Sequence, residues 1–318
     1  MPNLSKNLKK DLKKVESLMK KNLSKEPLVR DLYDYIFDNS GKKVRASISL
    51  ISSYGVSEKQ QNRFKLAAII ELLHTATLVH DDIIDNSDLR RGRTTVNVAW
   101  SNSHGVLIGD FIYSKAFMLM NEIGNLKVID ELSSATNKIA EGELIQLANK
   151  NNLDTSLQQL KRISYFKTGR LFEASAKSAA MLSNKSTSFI ENISKAAKLN
   201  GIAFQVRDDL LDYGISKRDI GKPEMQDILE DKITYPLYFA LKSSSKKDTL
   251  KIIKKLKNKD FSAEEVSDFV SSSGAFNKCN SLIQSYSNEI SKCIKKISDK
   301  EIRDEMLNLS ESLKNRYE

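Results

Sequence analysis

Between Pro27 and Pro223 this chain has no proline. That gap constrains the fold more than any other feature. A proline inside a helix removes an N–H and clashes with the preceding turn. The long proline-free stretch is filled with Ala, Leu, Lys, Ser, Ile and Glu, with apolar residues at i, i+3 and i+4. Such a stretch reads as one helix after another. Only 12 glycines are spread over the 318 residues, and no Gly-, Pro- or Ser-rich linker divides them. The expectation is one all-α domain over 1–318.

Helices are expected near 5–21, 27–38, 43–55, 60–86, 105–122, 127–149, 156–181, 187–213, 226–242, 247–257, 263–272, 275–297 and 299–315. Loops are expected near 22–26, 87–104, 150–155, 214–225 and 243–246. No apolar run reaches the roughly 18 residues that suggest a membrane span. The basic N-terminus carries Leu4, Leu8, Leu12, Val15 and Leu18 on one stripe but lacks the apolar region of a signal peptide. It could lie on a membrane surface; packing on its own core is the preferred expectation. Cys279 and Cys293 are the only cysteines, which fits a reduced cytoplasmic chain, at most loosely associated with a membrane. The net charge of +10 suits nucleic acid, a membrane surface or phosphate-bearing substrates. No nucleic-acid-binding signature accompanies it, so no nucleic-acid partner is expected.

"HDDIID" at 80–85 is echoed by "RDDLLD" at 207–212. At i and i+4, Asp81 and Asp85 share one helix face, as do Asp208 and Asp212. Like charges so placed repel unless a cation sits between them. A solvated acidic face would be the bland account of either cluster. Against it, Leu78, Val79, Ile83 and Ile84 surround the first, and Phe204, Val206, Leu210 and Leu211 the second. Such helices should be buried, where uncompensated carboxylates are costly. Carboxylates suit a hard cation such as Mg²⁺, which shares its shell with water and substrate phosphates.

Cations follow at once. Arg90 and Arg91 lie just past the first cluster, and arginine grips phosphate oxygens with a rigid fork. "GKKVRA" at 41–46 offers Lys42, Lys43 and Arg45; "KTGR" at 167–170 and "GKP" at 221–223 add more. Two anions are therefore expected, one bridged through metal and one held by cations directly. His74 lies two turns before Asp81, either as a core histidine or as a hydrogen-bond donor to the second anion. His80 reads as helix packing and His104 as a loop residue.

The stretches "GKKVRA", "ELLHTATLVHDDIIDNSDLRRGRTTVN", "GVLIGDFIYSKAFMLM", "AEGELIQL", "YFKTGRLFEASA", "GIAFQVRDDLLDYG" and "DIGKPEMQDILEDKITYPL" together resemble the trans-isoprenyl diphosphate synthase family. The likeness is to its long-chain, octaprenyl-type members. It implies an isoprenoid-synthase-type bundle around a deep cavity, usually a homodimer, and an enzyme that adds isopentenyl diphosphate to an allylic diphosphate. It further implies that Asp81 and Asp85 hold two Mg²⁺ and Asp208 a third, with Asp82 and Asp212 in support. Arg90, Lys167, Lys222 and Lys232 resemble the cations on the allylic diphosphate. Lys42, Arg45, His74 and Arg91 resemble the isopentenyl diphosphate site, and Thr168 and Gln205 the groups facing the carbocation. Ala46 stands where the family usually has Pro, Lys43 where Arg is frequent, and Met225 and Asp231 where Gly is common. Asp231 is expected to weaken the contribution of its neighbour Lys232.

Product length is expected from the walls. Ala76 and Thr77 lie about one turn, or 5.4 Å, deeper than Asp81 and are small enough to leave the cavity open. Phe117, Met118 or Met120 would form the floor, unless they are ordinary core residues. The expected product is hexaprenyl to octaprenyl, a quinone side chain passed to membrane enzymes, and Ala76→Tyr should shorten it. The competing expectations are a geranylgeranyl-length synthase, a subunit of a two-component synthase, a terpene cyclase and a nucleic-acid-binding protein. A cyclase needs no second anion site, and partner subunits generally lose one aspartate cluster. Residues 243–318 read as closing helices without a motif.

Overall fold

The computed structural model describes residues 4–21, 24–38, 41–55, 60–214 and 225–315. Helices α1 (Leu4–Lys20), α2 (Pro27–Phe37) and α3 (Val44–Ser52) precede the long α4 (Gln60–Ile84). A hairpin of β1 (Leu89–Arg90) and β2 (Arg93–Thr94), then the single turn α5 (Val96–Ala99), leads to α6 (Asn102–Ile123) and α7 (Leu126–Ala148). α8 (Leu157–Ser164) passes through a π-helical turn, Tyr165–Gly169, into α9 (Arg170–Leu182), and the long α10 (Thr187–Leu211) follows. α11 (Gln226–Leu229), α12 (Tyr235–Ser243), α13 (Lys246–Asn258), α14 (Ala263–Ser272), α15 (Ala275–Lys295) and α16 (Lys300–Lys314) complete the chain. Among the described residues the hairpin is the only sheet, and no helix is long and apolar enough to cross a membrane.

The two aspartate clusters end the two 25-residue helices, α4 and α10. One buried cluster ties α4 to α1, α2, α3, α6 and α7 through side chains such as Val15, Tyr33, Leu50, Leu72, Ile112 and Leu132. A second ties α10 to α3, α9, α15 and α16 through Ile48, Phe172, Ile193, Ile294 and Met306. Each large side chain buried this way contributes roughly 1.5–3 kcal/mol. Helices α3 and α9 place residues in both clusters, so they fix α4 against α10. The apolar stripe of α1 faces this core: Val15 is fully buried, and Leu8, Leu12 and Leu18 pack beside it. Its lysines 9, 10, 13 and 14 point outward.

Three segments depart from the expected helices. The 87–104 loop contains the hairpin and α5, and α6 starts at Asn102 because the Ser101 side chain accepts the His104 N–H. The expected 226–242 helix is two helices. Pro236 lies in the first turn of α12, where its missing N–H leaves no bond unmade. The expected 156–181 helix holds the π-helical turn, one of the insertions that concentrate at functional sites.

Met225 and Asp231 adopt left-handed backbone, with φ of 59° and 62°. Non-glycine residues there are strained by roughly 1–2 kcal/mol. Exchange to glycine should nonetheless act oppositely at the two sites. Met225 is buried against Ile228, Leu237 and Ile252, so losing it forfeits roughly 1.5–3 kcal/mol plus a cavity penalty. Asp231 gives up an ion pair to the mostly exposed Lys259 at 2.6 Å, worth about 0–1 kcal/mol. Met225→Gly should lower the melting temperature, whereas Asp231→Gly should leave it unchanged or raise it by the equivalent of up to about 1 kcal/mol. Thermal melts of the two variants check the difference in sign.

Candidate active site

One cavity of about 760 Å³ collects both motifs. Asp81 enters from α4 and Asp85 from just past its end, Asp208 and Asp209 from α10, Glu143 and Gln146 from α7, and Lys167 and Thr168 from the π-helical turn. The Asp81 carboxyl is pushed up to about 7, first by burial and then by Glu143, while Lys167 and Arg90 oppose the shift. Asp85 is met by Lys232 at 2.8 Å, and Lys232 also pairs with Glu230 at 2.5 Å. Burial works against the Lys232 charge, but Asp227, Asp85 and Glu230 outweigh it and raise its pKa. Asp231, expected to weaken Lys232, pairs with Lys259 instead.

Asp82 and Asp212, expected among the metal ligands, do not line the cavity. Buried Asp82 takes Arg90 in a fork, with Nε 2.7 and 2.8 Å from its two oxygens and Nη2 at 2.5 Å. It thereby holds Arg90, which does line the cavity. Asp212 accepts the backbone N–H groups of Gln226 and Asp227 at 3.1 and 3.2 Å and so anchors the start of α11. These two carboxylates are consumed by protein donors, which leaves Asp81, Asp85 and Asp208 facing the cavity.

Lys167 is held by Glu143 at 2.7 Å and by a short contact to Gln146. Thr168 donates to Gln205 Oε1 at 2.7 Å, Gln205 donates to Asp209 at 2.9 Å, and Asp209 accepts the Tyr235 N–H at 3.1 Å. That chain fixes the orientation of the Gln205 amide. Burial, then Asp227, pushes the Asp209 carboxyl well up. The π-helical turn sits close to α7 because Gly142 has no side chain; a Cβ there would come within 2.7 Å of Phe166 Cβ.

A second cationic group lies across the same cavity, with Lys42, Lys43, Arg45, His74 and Arg91 on its wall. Arg45 donates to His74 Nε2 at 2.9 Å and lies over the Phe172 ring at 4.7 Å. Burial, then Arg45 and Arg91, hold the His74 pKa well below its usual value, so the ring is neutral. Its Nε2 accepts, which assigns the proton to Nδ1. Beneath the group, buried Glu71 accepts the Ala46 N–H at 2.9 Å. A proline at 46 would lack that donor. The Arg91 guanidinium lies against the glycine of "GKKVRA": a Cβ on Gly41 would overlap it, and the arginine would have to shift.

Thr77 lines the cavity, and Ala76 is fully buried beside it on α4. Phe117 and Met118 do not form a floor within this chain: they are 49% and 63% exposed on the outer face of α6. The helical period turns Ile112, Ala116, Leu119 and Met120 inward instead. Lys222 lies outside the described residues. Leu309, Ser312 and Leu313 of α16 line the cavity too, although the tail carries no motif. Glu71, Glu143, Gln146, Asp209 and Asp227 also escaped the sequence analysis. Two signals mark them in the sequence: Asp209 lies inside "RDDLLD", and the polar pair Glu143 and Gln146 shares a helix face at i and i+3.

Carboxylates and two cationic groups line one cavity of an all-helical fold, an arrangement suited to anionic ligands. The chain belongs to the polyprenyl synthetase family, whose profile matches residues 26–272. It is 41% identical over 214 residues to octaprenyl diphosphate synthase of Escherichia coli K12, across 67% of this chain and 66% of that enzyme. The match thus spans just under two thirds of that relative. It is 38% identical over 259 residues to the geranyl-diphosphate-specific all-trans-nonaprenyl-diphosphate synthase of Rhodobacter capsulatus, across 81% of this chain and 79% of that one. A polyprenyl synthase of Caulobacter crescentus CB15, crystallised with calcium and isoprenyl diphosphate, has the same fold. Its TM-score is 0.93 at 27% identity, covering 99% of this chain and 98% of that one.

Proposed function

We propose that this chain is a trans-polyprenyl diphosphate synthase that makes a long, hexaprenyl to octaprenyl, product for a quinone side chain. The observation that carries it is the pairing of a carboxylate-lined anion position with a second, cationic one in a single cavity. In the reaction the C–O bond of an allylic diphosphate breaks, with its electron pair leaving on the diphosphate. The double bond of isopentenyl diphosphate attacks the carbocation, and a proton lost to the released diphosphate restores the alkene.

Arg90, Lys167, Lys222 and Lys232 would hold the leaving diphosphate, while Lys42, Arg45, His74 and Arg91 hold isopentenyl diphosphate. The Thr168 and Gln205 oxygens present partial negative charge to the cation, and the fixed cations stabilise the diphosphate where its charge develops. Enzymes of this family are generally Mg²⁺-dependent. The donors here fit that ion: Asp81, Asp85 and Asp208 offer hard oxygens, and Asp85 already attracts a cation in Lys232. Three ions held by these carboxylates would supply Lewis-acid stabilisation of the leaving group. The calcium and isoprenyl diphosphate in the Caulobacter structure support this assignment.

A homodimer is proposed, with α6 and α7 as its contact. Leu107, Leu126 and Leu144 on them are 67%, 81% and 68% exposed. Among the described residues no helix is long and apolar enough to cross a membrane; a cytoplasmic enzyme that hands its product to membrane enzymes is proposed.

The test is incubation of purified protein with Mg²⁺, farnesyl diphosphate and labelled isopentenyl diphosphate, with product alcohols sized after dephosphorylation. One dominant long alcohol supports the proposal. No extension, with both diphosphates bound, would make the chain a subunit of a two-component synthase. Product length has its own probe. Ala76 has no exposed surface, so Ala76→Tyr overpacks the core. Thr77 already lines the cavity, and Thr77→Phe should shorten the product by at least one isoprene unit. An unchanged product distribution would remove this wall from the length-setting part of the cavity.

A further inference from the structure

The two adjacent arginines of the hairpin are supported differently. Arg90 is gripped directly by Asp82 of α4. Arg91 occupies the tight turn between β1 and β2, paired as Leu89 with Thr94 and Arg90 with Arg93. Arg91 and Gly92 both have positive φ, 54° and 74°, as a two-residue hairpin turn requires. Asn or Gly would sit there with less strain, and an arginine held in that backbone points to a use for its side chain. The point from which that side chain starts therefore depends on where the strand is held.

Tyr35 of α2, outside every motif, holds it. Its hydroxyl donates to the Thr94 carbonyl at 2.6 Å. The Arg93 guanidinium lies 4.4 Å over its ring, and Trp100 meets the ring edge-on at 4.9 Å. Tyr35 in turn packs against the core shared by α1, α2 and α4. The base of the hairpin is closed separately: the Thr95 hydroxyl donates to the Ser87 carbonyl at 2.6 Å, and the Thr95 N–H to Asp88 at 3.0 Å.

We propose that Tyr35 is a positioning residue for the second diphosphate: it docks β2 onto α2, and through the tight turn it aims Arg91 across Gly41 into the cavity. This rests on the assignment of Lys42, Arg45, His74 and Arg91 to isopentenyl diphosphate. Arg90, held by Asp82, is insulated from it. The same hairpin thus serves two substrates through two supports, and damage to one support should register on one substrate.

Tyr35→Phe keeps the ring and removes one hydrogen bond. It should raise KM for isopentenyl diphosphate about three- to tenfold, with KM for the allylic diphosphate within about twofold. Arg93→Met leaves Tyr35 in place and should move the same KM in the same direction. In an Arg91→Ala background, Tyr35→Phe should add nothing further, because the group it aims is gone. An equal rise in both KM values, no rise in either, or full additivity with Arg91→Ala would each overturn the proposal. A wild-type protein that does not elongate at all would instead sink the functional assignment, before any variant is compared.

Discussion

Asp81→Asn should lower turnover by about a thousandfold and yet raise the melting temperature of the metal-free protein at pH 8. The two effects share one cause. Asp81 is itself largely desolvated and faces the charge of Glu143, and its pKa is raised to about 7. A carboxyl with a raised pKa is stable in the fold as the neutral acid. Its contribution to stability is therefore complete at low pH and is lost as pH rises through about 7, where the charge forms in an unfavourable place. Asparagine copies the neutral acid at every pH. With EDTA present, the gain in melting temperature should be clear at pH 8, shrink as pH falls below about 7, and vanish near pH 3, where folded and unfolded Asp81 are both largely protonated. The same substitution removes an anionic oxygen from the place where cation and diphosphate would meet, so activity falls while stability rises. Such trade-offs mark sites built for a ligand rather than for the fold. Calorimetry at the two pH values and turnover with saturating Mg²⁺ check it. A loss under tenfold, or a stability gain independent of pH, would contradict this account of Asp81.

The helical architecture was legible because apolar spacing and the missing prolines leave few alternatives. The facing of Asp81 with Asp85 followed from the helical period, as did the apolar stripe of α1. What failed had physical causes. α6 carries apolar residues around its circumference, including Leu107, Phe117, Met118, Leu119 and Met120. Periodicity then cannot say which of them turns inward, and Phe117 and Met118 turn outward. The π-helical turn adds a residue without any compositional trace, so Tyr165–Gly169 read as plain helix. Pro236 was visible, but whether it opened a helix or interrupted one depended on the chain before it. Asp82 and Asp212 have the same side chain as Asp81 and Asp208. Only their tertiary partners, Arg90 and the α11 backbone, separate an aiming or anchoring role from a ligand role. The contribution of α16 to the cavity arises from packing on α10, which no local pattern encodes.

Glu131→Leu should be the most destabilising single change outside the cavity, at about 3–5 kcal/mol. Glu131 of α7 is 6% exposed and accepts Arg170 at 2.6 Å and Lys177 at 2.6 Å through its two oxygens. Burial alone would raise its pKa, but Lys177 and Arg170 outweigh burial and lower it. Arg170 is 7% exposed and reaches Glu173 only at 3.5 Å. Removing the Glu131 carboxylate therefore leaves the buried guanidinium only long contacts, to Glu173 at 3.5 Å and to the residue-131 carbonyl at 3.4 Å. Arg170→Met should cost less, because Glu131 keeps Lys177, which is 40% exposed at its side chain. The double variant Glu131→Leu/Arg170→Met should recover much of the loss, since no buried charge remains unpaired. Its activity should not recover in step. Arg170 directly follows the Tyr165–Gly169 turn, and its pair with α7 helps set the distance from which Lys167 reaches Glu143 and the cavity. Denaturant melts of the three variants, read beside KM for the allylic diphosphate, separate the two roles. If the double variant were no more stable than Glu131→Leu, the stranded charge would not be the source of the loss. If it regained both stability and wild-type KM, the pair would serve the fold alone, and Lys167 would be positioned by Glu143 and Gln146 without it.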